Sequence, residues 1–210
     1  MALTKVTGGL LGNLPTGTGN VAVGDTALDS IESGAENNVA IGSAAGTAIT
    51  TGDNNTAVGS SALLANTTGH SNAAVGYRAL TTNTTAINCT ALGKDALYAN
   101  TTGGDNTGVG YNSLSVNTTG ASNTAVGVGA LDANTTADNN VAVGLNSLGA
   151  NTTGTQSVAV GIQTLLTNTT GGRNTALGTN ALLANTTASY NTAVGAQALV
   201  ANTTGEYNTV

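Results

Sequence analysis

The chain has no phenylalanine and no tryptophan, and it has one proline, one cysteine, one histidine and four lysines plus arginines in 210 residues. Each shortage excludes something. Without Phe or Trp, and with its five tyrosines scattered, the chain has no aromatic core around which an ordinary globular domain could form. A single Cys89 permits no intrachain disulfide and reads as a reduced, incidental residue. Few and widely separated cations, with a net charge of −6, argue against nucleic acid, whose phosphates call for clustered Lys or Arg. No apolar run approaches the ~18 residues of a membrane-spanning helix. The opening Met1-Ala2-Leu3-Thr4-Lys5-Val6-Thr7-Gly8-Gly9-Leu10-Leu11-Gly12 lacks the long apolar segment of a secretion signal. The expectation is therefore synthesis in a cytoplasm.

What the chain has in abundance is repetition. The stretch from Asn55 to Ser71 recurs with starts at Asn38, Asn72, Cys89, Asn106, Asn123, Asn140, Ser157, Asn174, Asn191 and Asn208, always 17 residues apart; the first copy, from Asn20, takes 18. A fixed short period without insertions is the mark of a solenoid, each repeat one coil stacked on the last. Column five is Gly in all eleven complete copies, including Gly59, Gly76, Gly93, Gly110, Gly127, Gly144, Gly161, Gly178 and Gly195. A position of that kind needs positive φ or the close approach of another chain. Column four is always aliphatic and column nine is Leu except at Gly46. Asn-Thr-Thr fills columns twelve to fourteen in nine copies.

These columns predict an all-β parallel solenoid of about eleven coils with two short strands per coil. The first strand is Asn-Thr-Ala-Val-Gly, with columns two and four on one face because side chains alternate. That face is expected to point inward, giving core ladders through Val58, Val75, Val126 and Val194. The second strand is expected around Ala-Leu-x-Ala, with Leu63, Leu80, Leu131 and Leu199 inward. Gly at column five and Asn-Thr-Thr-Gly supply the turns. At about 4.8 Å per coil the rod would be roughly 50–55 Å long. A strand-plus-short-helix coil like a leucine-rich repeat is a second reading, since Ala and Leu favour helix. Against it, Asn-Thr-Thr would end any helix within a turn. Small residues in columns three and eight, beside the Gly column, predict a flat face packed on identical faces of other chains. A homotrimer is the expected closed assembly.

Residues 1–19 read as an attachment or capping segment, and residues 20–210 as the solenoid, with an incomplete coil from Asn208. Asp25, Asp29, Glu32 and Glu36 concentrate acid in the first coils, as either a cap or a docking surface. An open last edge would invite further pairing, so the natural protein is expected to continue past Val210. Catalytic chemistry finds little support. His70 lies in a variable turn column, the acids do not recur in register, and a Ser or Thr nucleophile would need a His in reach. No phosphate-binding Gly motif is present, and Gly103-Gly104-Asp105 is a lone turn rather than a calcium repeat. No cofactor, metal or catalytic residue is expected. The Asn-Thr-Thr triplets match the glycosylation sequon, but the stronger reading is a turn with stacked Asn amides. Threonine ladders on a flat solenoid face raise ice binding as a minor alternative. Tyr77, Tyr98, Tyr111 and Leu183, in variable columns, are candidates for ligand contact.

Asn38-Val39-Ala40-Ile41-Gly42 and Ser157-Val158-Ala159-Val160-Gly161 resemble the head repeats of trimeric autotransporter adhesins. The resemblance implies a left-handed parallel β-roll in three side-by-side chains. The fuller unit, Asn191-Thr192-Ala193-Val194-Gly195-Ala196-Gln197-Ala198-Leu199 with Asn202-Thr203-Thr204-Gly205, is similar to repeats in tail-fibre-like proteins of marine and cyanobacterial phages. Leu3-Thr4-Lys5-Val6-Thr7-Gly8-Gly9-Leu10 also resembles the start of such virion fibre proteins. The resemblance implies a non-enzymatic virion protein. It would be the trimeric shaft of a tail fibre, joined to other virion or tail proteins through residues 1–19. It would hold a tip toward a host surface glycan or protein. A bacterial surface adhesin or extracellular filament subunit is the alternative, and a glycan-cleaving tailspike the third.

Overall fold

The computed structural model describes residues 17–210, so most of the expected attachment segment lies outside the described residues. Eleven three-residue strands, β1 (Val21–Val23) to β11 (Thr192–Val194), form one parallel sheet in sequence order. Equivalent columns pair in register, Val21 with Val39 and Thr124 with Val141. The chain is an all-β solenoid, and no helix occurs among the described residues.

Each coil has one strand, not two. The Ala-Leu-x-Ala stretch is a pair of linked turns: Ala62 N–H bonds Gly59 C=O at 3.2 Å, and Asn66 N–H bonds Leu63 C=O at 3.4 Å. Ser61 and Leu63 have φ of 58° and 53°. The same left-handed state recurs at Leu28, Leu80, Leu97, Leu114, Leu131, Leu148, Leu165, Leu182 and Leu199. For an L-residue this conformation costs roughly 1–2 kcal/mol, offset by the ~1.5–3 kcal/mol gained on burying a Leu side chain. This wall still bonds coil to coil, with Leu63 N–H to Ala79 C=O at 3.0 Å and Thr67 N–H to Thr84 C=O at 2.9 Å.

The strand face is the reverse of that expected. Column three points inward: Ala40, Ala57, Ala74, Ala125, Ala142, Ala159, Ala176 and Ala193 are buried. Columns two and four point outward. Val58, Val75 and Val126 are therefore only half-buried on the outer face, and Val194 is 58% exposed. The core is a Leu stack from column nine, with Leu63, Leu80 and Leu131 fully buried, flanked by Ala from columns three and eight. Leu199, in the last coil, is half-buried. A flattened coil this narrow has room for a Leu from one wall only if the other wall is Ala. Coil two shows the same volume rule, because Gly46 replaces Leu and Ile49 replaces Asn. A Cβ on Gly46 would come within 3.0 Å of the Ile49 Cδ1, so Ile49 fills the space the missing Leu leaves.

Two columns of buried amides lock the coils together. In column twelve, Asn134 Nδ2 donates to Asn117 Oδ1 at 2.8 Å and to Ala137 C=O at 3.1 Å. The stacked Asn amides read from the triplets are thus present, and these Asn side chains are buried rather than presented to solvent. In column one, Asn140 N–H donates to Asn123 Oδ1 at 3.0 Å, and Asn140 Nδ2 to Gly154 C=O at 2.8 Å. Cys89 interrupts this second ladder. Its Sγ lies 3.3 Å from Gly103 C=O, and burial raises its thiol to about 11. Cys89→Asn should restore the amide contacts and raise unfolding free energy by about 1 kcal/mol, the net value of a typical hydrogen bond. Urea titration of both proteins checks this, and a lower midpoint in the variant would refute it.

Candidate functional site

The outer face of the sheet carries a long strip of uncharged side chains. Columns two and four contain only Val, Ile, Leu, Thr and Ala in all eleven coils, without one charge. Exposed aliphatic side chains recur along it, including Ile41, Leu92, Val160 and Leu177. Column six widens the strip in coils seven to nine, where Val128, Leu145 and Ile162 are 47%, 45% and 49% exposed. Isolated exposed apolar residues are ordinary, but a contiguous strip of this length marks an interaction surface. Parallel sheets in particular are normally covered on both faces.

The Gly column is not part of that surface. Gly59, Gly76, Gly93, Gly110, Gly127, Gly144, Gly161, Gly178 and Gly195 end the strands with φ between 126° and 138°. A Cβ on Gly59 would lie 2.5 Å from the carbonyl oxygen of Gly76. The close approach is therefore between successive coils of one chain. With the column-three and column-eight Ala residues inside the coil, the expected Ala/Gly interface between chains is overturned. The signal for the outer face lay in the uncharged columns two and four, of which column four is aliphatic in every coil.

Polar chemistry clusters on coils four to six. Asp95, whose side chain is 12% exposed, meets Lys94 Nζ at 2.9 Å and Arg78 Nε at 3.4 Å. Arg78 lies over the Tyr98 ring at 4.1 Å, and Lys94 lies over Tyr111 at 4.8 Å. The hydrogen bond to Asp95 raises the Lys94 ammonium above its usual range. The structure thus brings together Tyr77, Tyr98 and Tyr111, while Leu183 sits half-buried in coil ten. The cations here are already paired within the patch. His70 is exposed, its Nδ1 3.4 Å from Ser71 Oγ. Among the described residues no three His, Cys, Asp or Glu side chains group as metal ligands, and no helix is long and apolar enough to cross a membrane. Asp25, Asp29, Glu32 and Glu36 are all exposed.

No family model matches the chain, and no curated protein or solved structure does either.

Proposed function

We propose that the chain is a structural virion protein, the trimeric shaft of a phage tail fibre or related appendage. The observation that carries this reading is the charge-free outer face, on which column four is aliphatic in every coil beside a column two of Thr, Val and Ala. Three copies can turn that face toward a common axis, covering the second side of each parallel sheet. The surface for association is thus columns two and four. Eleven coils with continuous backbone and amide ladders make a stiff rod about 50 Å long. Such a rod does mechanical work without any reacting group, spacing a host-contacting tip from the particle. Residues 1–19 join it to neighbouring virion proteins in this reading.

Light scattering of the full chain should give three times its 20.2 kDa mass. Lys at both Val143 and Val160 would bury two charges per copy in the interface, and the mass should fall to that of one chain with an unchanged circular dichroism spectrum. A wild-type monomer, or a trimer indifferent to both substitutions, would defeat the assembly.

A further inference from the structure

Column seventeen, at the corner leading into each strand, is left-handed in every coil, from Asn37 at φ 57° to Tyr207 at 60°. In the first seven coils Asn, Asp or Ser occupies it, the residue types that best tolerate this backbone or are small. In coils eight to eleven it holds Gln156, Arg173, Tyr190 and Tyr207. Four long side chains therefore follow one another at the same corner of successive coils.

They form one continuous stack. Arg173 Nε donates to Gln156 Oε1 at 2.8 Å, and its Nη1 donates to the Tyr190 hydroxyl. The guanidinium carbon lies 5.2 Å from the Tyr190 ring centre. The Tyr190 and Tyr207 rings stack at 4.9 Å, with 7° between their planes. Beside them opens a cleft of ≈ 190 Å³ lined by Thr155, Gly172, Arg173, Ser189 and Tyr190. Its size, below the ~300–1,000 Å³ typical of ligand pockets, limits it to about one ring.

The cleft's polar groups are poised to bind. Ser189 Oγ accepts from Gly172 N–H at 3.1 Å, so its own proton is left to donate. The Thr155 hydroxyl has no partner among the described residues. Arg173 uses two of its five N–H groups in the stack and, unlike Arg78 and Lys94, has no carboxylate partner among the described residues. Asp138 and Glu206 occupy the neighbouring column-sixteen positions at either end of the cleft, and Asp138 Oδ1 is tied to Ala121 N–H at 2.7 Å. Neither acid lines the cleft, and Arg173 is the one charged residue that does.

We propose that this corner binds a sugar acid: one pyranose ring carrying a carboxylate, free or within an acidic polysaccharide. The carboxylate pairs with the free edge of the Arg173 guanidinium, whose planar fork suits it. Ser189 and Thr155 meet ring hydroxyls. The C–H face of the sugar lies along the tyrosine stack, against the negative face of the aromatic rings. The site uses no residue of columns two and four, so it does not rest on the trimeric reading.

The test uses the full chain and trisaccharides of galacturonic, glucuronic and mannuronic acid, each with its methyl ester, read by saturation-transfer NMR and titration calorimetry. At least one acid should bind, with its ester at least tenfold weaker. Arg173→Met and Tyr190→Asn should each lose at least tenfold, while Lys94→Met, which removes a charge elsewhere, should change nothing. Asn suits the left-handed backbone, so Tyr190→Asn should remain folded by circular dichroism, separating lost binding from lost structure. The proposal is overturned if none of the acids binds, if acid and ester bind equally, or if Arg173→Met binds as the wild type does.

Discussion

Gly127→Ala should destabilise the solenoid by about 4 kcal/mol, the sum of two separable costs. Gly127 has φ 137°, a region L side chains rarely adopt, which costs about 1–3 kcal/mol. Its Cβ would also stand 2.5 Å from the Gly144 carbonyl oxygen and 2.7 Å from the carbonyl carbon. Those are backbone atoms of the next coil and cannot rotate away. Pushing them back stretches the backbone ladder on which stacking depends, and overpacking of this kind costs about 1–3 kcal/mol more. Gly195 separates the two effects. Its φ is 134°, but the nearest atom to its Cβ would be Ala198 Cβ at 4.0 Å. Gly195→Ala should therefore show only the conformational cost. Urea unfolding with unchanged slope measures both. Because stability in a repeat array is nearly a sum over neighbours, hydrogen exchange in Gly127→Ala should rise first in coils seven and eight. Equal losses at the two positions would mean that coil-to-coil contact does not constrain the column.

How these glycines act was only partly legible beforehand. The period alone requires equivalent columns to stack, and from that follow the parallel register, the Leu ladder and the Asn-Thr-Thr amide stack. The direction in which the strand faces does not follow. Alternation says that Thr56 and Val58 share a face and Ala57 takes the other, but not which face is inside. Hydrophobicity favours Val inward, and so would have been right for a wider coil. In this one the Leu63 side chain fills the interior from the opposite wall, leaving space only for Ala57. The second strand failed for a related reason. Nothing in the residue type marks Leu63 as left-handed, since its strain is set by the need to aim its side chain across the coil. The column-one ladder does not follow from that reading, because alternation puts Asn123 on the face of Ala125, which is the outer face if columns two and four point inward. Its signal is the recurrence of Asn at nine of the eleven complete-coil starts, far more regular than a solvent-facing strand residue requires.

That ladder supports the other large effect. Asn123→Ala should cost about 2–4 kcal/mol: the buried Asn140 N–H loses its partner at roughly 1–3 kcal/mol, and the bond to Ala137 C=O, which keeps Asn134 Nδ2, is lost at about 1 kcal/mol. Asn123 Oδ1 accepts from Asn140 N–H at 3.0 Å, and its Nδ2 donates to Ala137 C=O at 2.8 Å and to Asn106 Oδ1 at 3.2 Å. The side chain is fully buried, so water does not replace these bonds without opening the coil. Asn123→Asp keeps the shape and tests the chemistry. Its carboxylate could still accept from Asn140 N–H, but it would place a buried negative charge against the Ala137 carbonyl and the Asn106 amide oxygen. The protonated acid, which can donate as the amide did, is the form that fits, so the folded pKa rises above the unfolded value of about 3.9. The folded state then holds more protons than the unfolded state between those two values, and stability falls as pH climbs through that window. Urea midpoints for Asn123→Asp should accordingly be highest below the unfolded pKa and drop toward neutrality, whereas Asn123→Ala should remain low without that added pH dependence. An Asp variant as stable as wild type at neutral pH would show that the amide donor contributes nothing, and the ladder would then be packing alone.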